Sequence, residues 1–151
     1  MMLFRVPVGK MFFQGAPRLL RSGVSVEPCR PNGDSRVTVE AYPAVVARRF
    51  LGRESYKRDG VPDTPQREAA RKKLVSGLLS EALREAYGFG VRVGRRWRNR
   101  FVEEPGADAL DSLLCAVQAA WAYTRRDDNW GVPPECDSNE GWILDPALLG
   151  I

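Results

Sequence analysis

Three acids in this chain have the types and positions to do chemistry: Glu40, Asp108 and Asp111. Asp108 and Asp111 lie three apart in GADALDSLLCAVQAAWAYTRR, residues 106–126. On a helix they share one face of its first turn. Glu40 lies in RVTVEAY, residues 36–42, where Val37, Val39 and Ala41 alternate with Thr38, Glu40 and Tyr42. That alternation predicts a strand, and Pro43, which lacks a backbone donor, ends it. Glu40 then falls near the strand's C-terminal end, where open α/β sheets place their ligands. A helix pair of carboxylates with a third on a neighbouring strand can hold one or two magnesium or manganese ions. Such ions polarise a phosphodiester and activate water. Each acid also has a plainer reading. Glu40 suits the solvent side of an edge strand. Asp108 suits a helix cap, with Asp111 complementing the dipole and reaching back as in a capping box.

A second set of residues is cationic. Arg92, Arg95, Arg96, Arg98 and Arg100 interleave with Trp97 and Phe101, and Lys57 adds a cation in the polar loop 52–64. Arginines with aromatics can grip phosphates and stack on bases, which makes nucleic acid the candidate partner. The same pattern also fits a solvated helix anchored to the core by its aromatics. Charge is uneven along the chain. Residues 1–102 carry 21 basic and 9 acidic side chains, and residues 103–151 carry 2 and 10. A basic body with an acidic end suits a polyanion approached by metal-holding carboxylates, or two separately solvated surfaces.

Histidine is absent. This removes Ser-His-Asp and Cys-His nucleophiles and histidine-ligated metals, so catalysis must rest on carboxylates. The three cysteines, Cys29, Cys115 and Cys136, are odd in number and widely spaced. They fit neither a disulfide framework nor a zinc motif, which sets a reducing, cytoplasmic location as the expectation. No apolar run approaches the length of a membrane span, so no membrane partner is expected. The start, MMLFRVPVGKMFF, lacks the apolar region and cleavage site of a secretory signal.

The elements that must position these residues follow from spacing and punctuation. Residues 10–20 are helical in period, with Gly23 as the stop. Residues 24–26 make a short strand, and 29–35 are turn chemistry. Pro43 to Leu51 is a short helix with Gly52 after its end. Thr64-Pro65 opens a longer helix running to about Tyr87, with Leu74, Leu78, Ala82 and Leu79 inward and Gly88 as its stop. Phe89 to Val93 alternates as a second short strand. The helix of 106–126 carries Leu110, Leu113, Leu114, Val117 and Trp121 on one face and Cys115, Ala119 and Ala122 on another, which predicts burial nearly all round. Residues 140–144, EGWIL, make a last short strand or a segment tucked against the sheet. No linker divides the chain, so a single domain over 1–151 is expected.

The stretches VGKMFFQGAPRLL, VTVEAYPAVVARRFLG, SYKRD, GADALDSLLCAVQAAWA and EGWILDP resemble, in order, the "domain of unknown function 429" family of predicted ribonuclease-H-like nucleases. VTVEAYP followed by DALD is more distantly similar to Holliday-junction resolvases of the RuvC type. The resemblance implies a ribonuclease-H-like mixed α/β sheet flanked by helices. It implies Glu40, Asp108 and Asp111 as metal-binding, catalytic carboxylates of a magnesium- or manganese-dependent nuclease. That fold opens with a hairpin whose first strand carries an Asp. Residues 1–35 hold only Asp34, in a turn, so the N-terminal hairpin strands are missing from the pattern. The expectation is the C-terminal portion of such a domain, weak or inactive by itself. Its uncovered sheet edge would then be open to self-association. A noncatalytic nucleic-acid-binding module built on the Arg92–Arg100 cluster, or a structural remnant, is the alternative.

Overall fold

The computed structural model describes residues 8–149. The N-terminal MMLFRVP, where no secretory signal is expected, lies outside the described residues. The chain divides into two compact units, Met1–Glu40 with Pro134–Trp142, and Ala41–Pro133 with Ile143–Ile151. Among the described residues the architecture is mixed α/β, with six α-helices and one two-stranded parallel sheet.

The first unit begins with α1, Val8–Ser22, followed by Gly23 at φ 72°. The helix exposes Met11, Phe12 and Phe13. Strand β1, Ser25–Glu27, pairs in parallel with β2, Val37–Val39, in the register Ser25 to Val37 and Glu27 to Val39. Parallel strands usually need a connection of a dozen or more residues. Here the chain hooks back at once through an antiparallel bridge between Val26 and Arg30. Asn32 then ties the loop down, its backbone N–H donating to Ser25 Oγ and its amide to the Gly23 carbonyl. Asp34 accepts from the Arg36 backbone and pairs with its guanidinium at 2.8 Å. β2 is shorter than the predicted strand of 36–42, and its three residues are all half-buried.

The second unit is helical. α2, Pro43–Leu51, has the predicted bounds, with Gly52 at φ 61° beyond its end. α3, Pro65–Leu78, is capped as expected: Thr64 Oγ1 accepts from the Arg67 N–H. α2 and α3 pack closely because Gly77 has no side chain. A Cβ there would stand 2.5 Å from Phe50 Cδ1. The helix predicted to reach Tyr87 instead breaks at Leu79-Ser80, where Ser80 turns extended and its hydroxyl donates to the Gly77 carbonyl. Such local side-chain bonds compete with helix propagation. The break resets the phase of α4, Glu81–Tyr87, so Leu83 faces the core and Ala82 is exposed. Gly88 then stops α4 in the left-handed region.

Residues 89–93 form no strand; they are an irregular approach to α5, Arg95–Glu103. Helix α6, Asp108–Thr124, packs against α2 and α5 and supplies much of the core with Leu110, Leu114, Val117 and Trp121. It is not buried all round, since Ser112, Ala116, Ala119 and Tyr123 face solvent. Residues 140–144 form no strand of their own; in the second unit Leu144 is fully buried. No helix among the described residues is long and apolar enough to cross a membrane.

Candidate functional site

The start of α6 is built differently from the capped helix its sequence suggests. Ala107 stands in the cap position at φ 56°, and it offers no side-chain acceptor. Glu104 supplies one instead, its Oε2 accepting the Ala109 N–H at 2.9 Å. Both aspartates are thereby released from capping. Asp111 turns toward the loop of residues 52–64. Its Oδ1 accepts from the Tyr56 hydroxyl at 2.7 Å and its Oδ2 from Lys57 Nζ at 2.5 Å. Burial and the Asp111 hydrogen bond hold the Tyr56 phenol well above its ordinary range. Burial alone would lower Lys57, but the Asp111 hydrogen bond and charge outweigh it and the ammonium is held above its ordinary value. The loop itself is clamped by Arg71, which is 1% exposed. Its guanidinium donates to the Tyr56 and Val102 carbonyls and pairs with Asp63.

Asp108 is exposed, and among the described residues its carboxylate accepts no hydrogen bond. It lines an open groove of about 590 Å³ between α5 and α6, together with Trp97, Arg100, Phe101, Glu104 and Leu113. Phe101 is buried and anchors α5, whereas Trp97 is 49% exposed. The two rings lie 5.9 Å apart at 32°, and the Arg100 guanidinium sits 5.3 Å from the Trp97 centroid. Arg92, Arg95, Arg96, Arg98 and Arg100 are all exposed. Arg100 pairs loosely with Glu104 at 3.6 Å, and Arg98 donates to the Val93 carbonyl. Arg95 and Arg96 form no ion pair among the described residues.

Glu40, in the first unit, is exposed just beyond β2. Its Oε2 lies 3.0 Å from the place a Cβ on Gly141 would take, with Cys29 Sγ 3.3 Å from the same point. Gly141 is at φ 80°, a left-handed backbone that favours glycine. In the second unit the structure brings Asp108 and Asp111 onto one helical turn and places Lys57 on Asp111. The described residues of that unit contain no group of three acids or cysteines able to hold a metal ion. Both Asp111 oxygens are engaged, one by a phenol and the other by an ammonium.

Sequence reasoning missed the polar centre of the second unit. Gln118 and Asp145 are fully buried. Gln118 Oε1 accepts the Tyr42 N–H, and its Nε2 donates to Asp145 Oδ2, which also accepts from the Tyr87 hydroxyl. Asp145 Oδ1 accepts the Ala147 N–H. Burial and the Asp145 hydrogen bond raise the Tyr87 phenol above its ordinary range. The available signal was a glutamine on the apolar stripe of α6, one residue after Val117.

Fold and site together define a mixed α/β chain whose second unit presents an arginine- and tryptophan-bearing helix beside an aspartate-led one. Residues 11–135 match the family model described as "Protein of unknown function (DUF429)", and the chain belongs to that family. No curated protein and no solved structure matches the chain significantly.

Proposed function

We propose that this protein binds nucleic acid through α5 as a noncatalytic module. The observation that carries the reading is the first turn of α5. Arg95 and Arg96 occupy it, no acid accompanies them, and both are exposed. The positive end of a helix dipole disfavours cations there by roughly 0.3–1 kcal/mol each. Charge placed against local stability in this way fits a surface that meets phosphate. Trp97, half-exposed beside the arginines, adds a stacking surface. The test is affinity for a single-stranded oligonucleotide measured across salt concentrations. Replacing Arg95, Arg96 and Arg98 by Ala should reduce the slope of log K against log salt by up to about 3 units. An unchanged slope would return α5 to the status of a solvated helix.

A second reading is a magnesium- or manganese-dependent nuclease of ribonuclease-H-like type using Glu40, Asp108 and Asp111. Its support is the likeness of the strand-Glu and DALD segments to that class, with Asp108 uncommitted beside the basic helix. The pairing of Asp111 with Tyr56 and Lys57 weighs against it. The expected result is binding of DNA, RNA and branched substrates without magnesium-dependent cleavage. Cleavage that disappears in D108N and D111N would install the hydrolytic reading instead.

A further inference from the structure

We propose that the groove between α5 and α6 is a pocket for one unpaired base, selective for guanine. The inference rests on the nucleic-acid reading above and specifies what that surface recognises. Its size lies within the roughly 300–1,000 Å³ typical of small-ligand sites. Trp97 and Phe101 supply aromatic surface on one side and Leu113 an apolar one on the other. Trp97 keeps half its surface open to solvent, unlike the buried Phe101 behind it.

The charges around the groove sort the two parts of a nucleotide. Arg95 and Arg96 stand exposed on α5 and do not line it; Asp108, Glu104 and Arg100 do, with Arg100 paired to Glu104 and set beside the Trp97 ring. Carboxylates repel phosphate, so the backbone belongs on the arginines and the base in the groove. Glu104 is already committed, to the Ala109 N–H and to Arg100. Among the described residues, Asp108 is the lining acid whose carboxylate accepts no hydrogen bond from the protein.

An ionised carboxylate only accepts hydrogen bonds, and its two oxygens suit two parallel donors. Guanine offers that pair on its Watson–Crick edge, N1–H beside N2–H. Adenine and cytosine each set an amino donor beside a ring-nitrogen acceptor, and uracil flanks its one N–H with two carbonyls. Each of those edges would turn a lone pair toward Asp108. In a duplex the edge is already used, so the ligand is single-stranded, as is common for base-specific recognition by stacking and edge contacts.

The experiment is fluorescence anisotropy with a labelled uridine octamer and with octamers carrying one central guanosine, adenosine or cytidine, each at several salt concentrations. The guanosine octamer should bind about 10-fold tighter than the others, within the usual worth of one bidentate contact. D108N should erase that preference, while the uridine octamer binds no more weakly than to wild type because a negative charge has gone. W97A should weaken all four by roughly 10-fold through lost stacking, and W97F, which keeps an aromatic ring, by less. Equal affinities for the four octamers with a normal salt slope would overturn the guanine pocket alone. A preference that survives D108N would remove it from this groove. Failure to bind any octamer would overturn the nucleic-acid reading and the pocket with it.

Discussion

Arg71→Met is expected to be among the most destabilising single changes in the second unit, and its cost can be worked from the partners left behind. Arg71 is 1% exposed, and its guanidinium donates to the Val102 carbonyl at 2.7 Å and the Tyr56 carbonyl at 3.0 Å. Asp63 takes the remaining donors. Methionine fills much of the same volume, so the cavity term is small. The two carbonyls then lose their donor in a dry environment, at roughly 1–3 kcal/mol each. Asp63 is exposed and rehydrates, so it adds little. The sum is about 2–6 kcal/mol, against a total stability of about 5–15 kcal/mol for a domain. Arg71→Lys should recover little of it, because one ammonium cannot reach two carbonyls and a carboxylate as a planar fork does. Urea titration of wild type and both variants reads the difference. The guanidinium hydrogen bond also holds the Asp63 carboxyl below its ordinary range. A lowered folded-state value contributes stability at neutral pH that is lost as pH falls below the usual carboxylate range. The methionine variant should show less of that acid-side loss, and its Asp63 should titrate closer to the ordinary carboxylate range by NMR, with the Thr64 N–H and Arg67 still lowering it. A change under about 1 kcal/mol in the methionine variant would refute the view that this clamp holds the loop and α5 to α3.

Leu114→Ala empties a fully buried site on α6 and should cost roughly 2–5 kcal/mol in the same titration. A loss below about 0.5 kcal/mol would show that α6 is not a core element. Asp34 lies in the first unit with its carboxyl lowered to about 2 by hydrogen bonds from Arg36. Its contribution should be present above its ordinary 3.8 and fade as pH falls toward about 2. Asp34→Asn should therefore flatten the acid limb of a pH titration monitored at the β1–β2 turn, and an unaltered limb would show that the pair is not populated in solution.

What the sequence determined by itself was mostly local. Pro43 and Gly52 bound α2, Thr64 and Pro65 start α3, and Gly88 ends α4, because caps and stops act through backbone groups within a turn. The apolar stripe of α6 was equally legible, since helical period alone selects Leu110, Leu114, Val117 and Trp121. Tertiary structure decided the rest. Phe89 to Val93 alternates like a strand but finds no partner strand among the described residues, and alternation cannot supply one. Asp111 had a plausible local role as a capping acid. It was drawn instead to Tyr56 and Lys57, 55 and 54 residues away. Gln118 meets Tyr42 across 76 residues, and Asp145 meets Tyr87 across 58. A polar side chain in the core takes whichever partner the fold brings within about 3 Å, because leaving it unpaired there costs more than any local preference can offset.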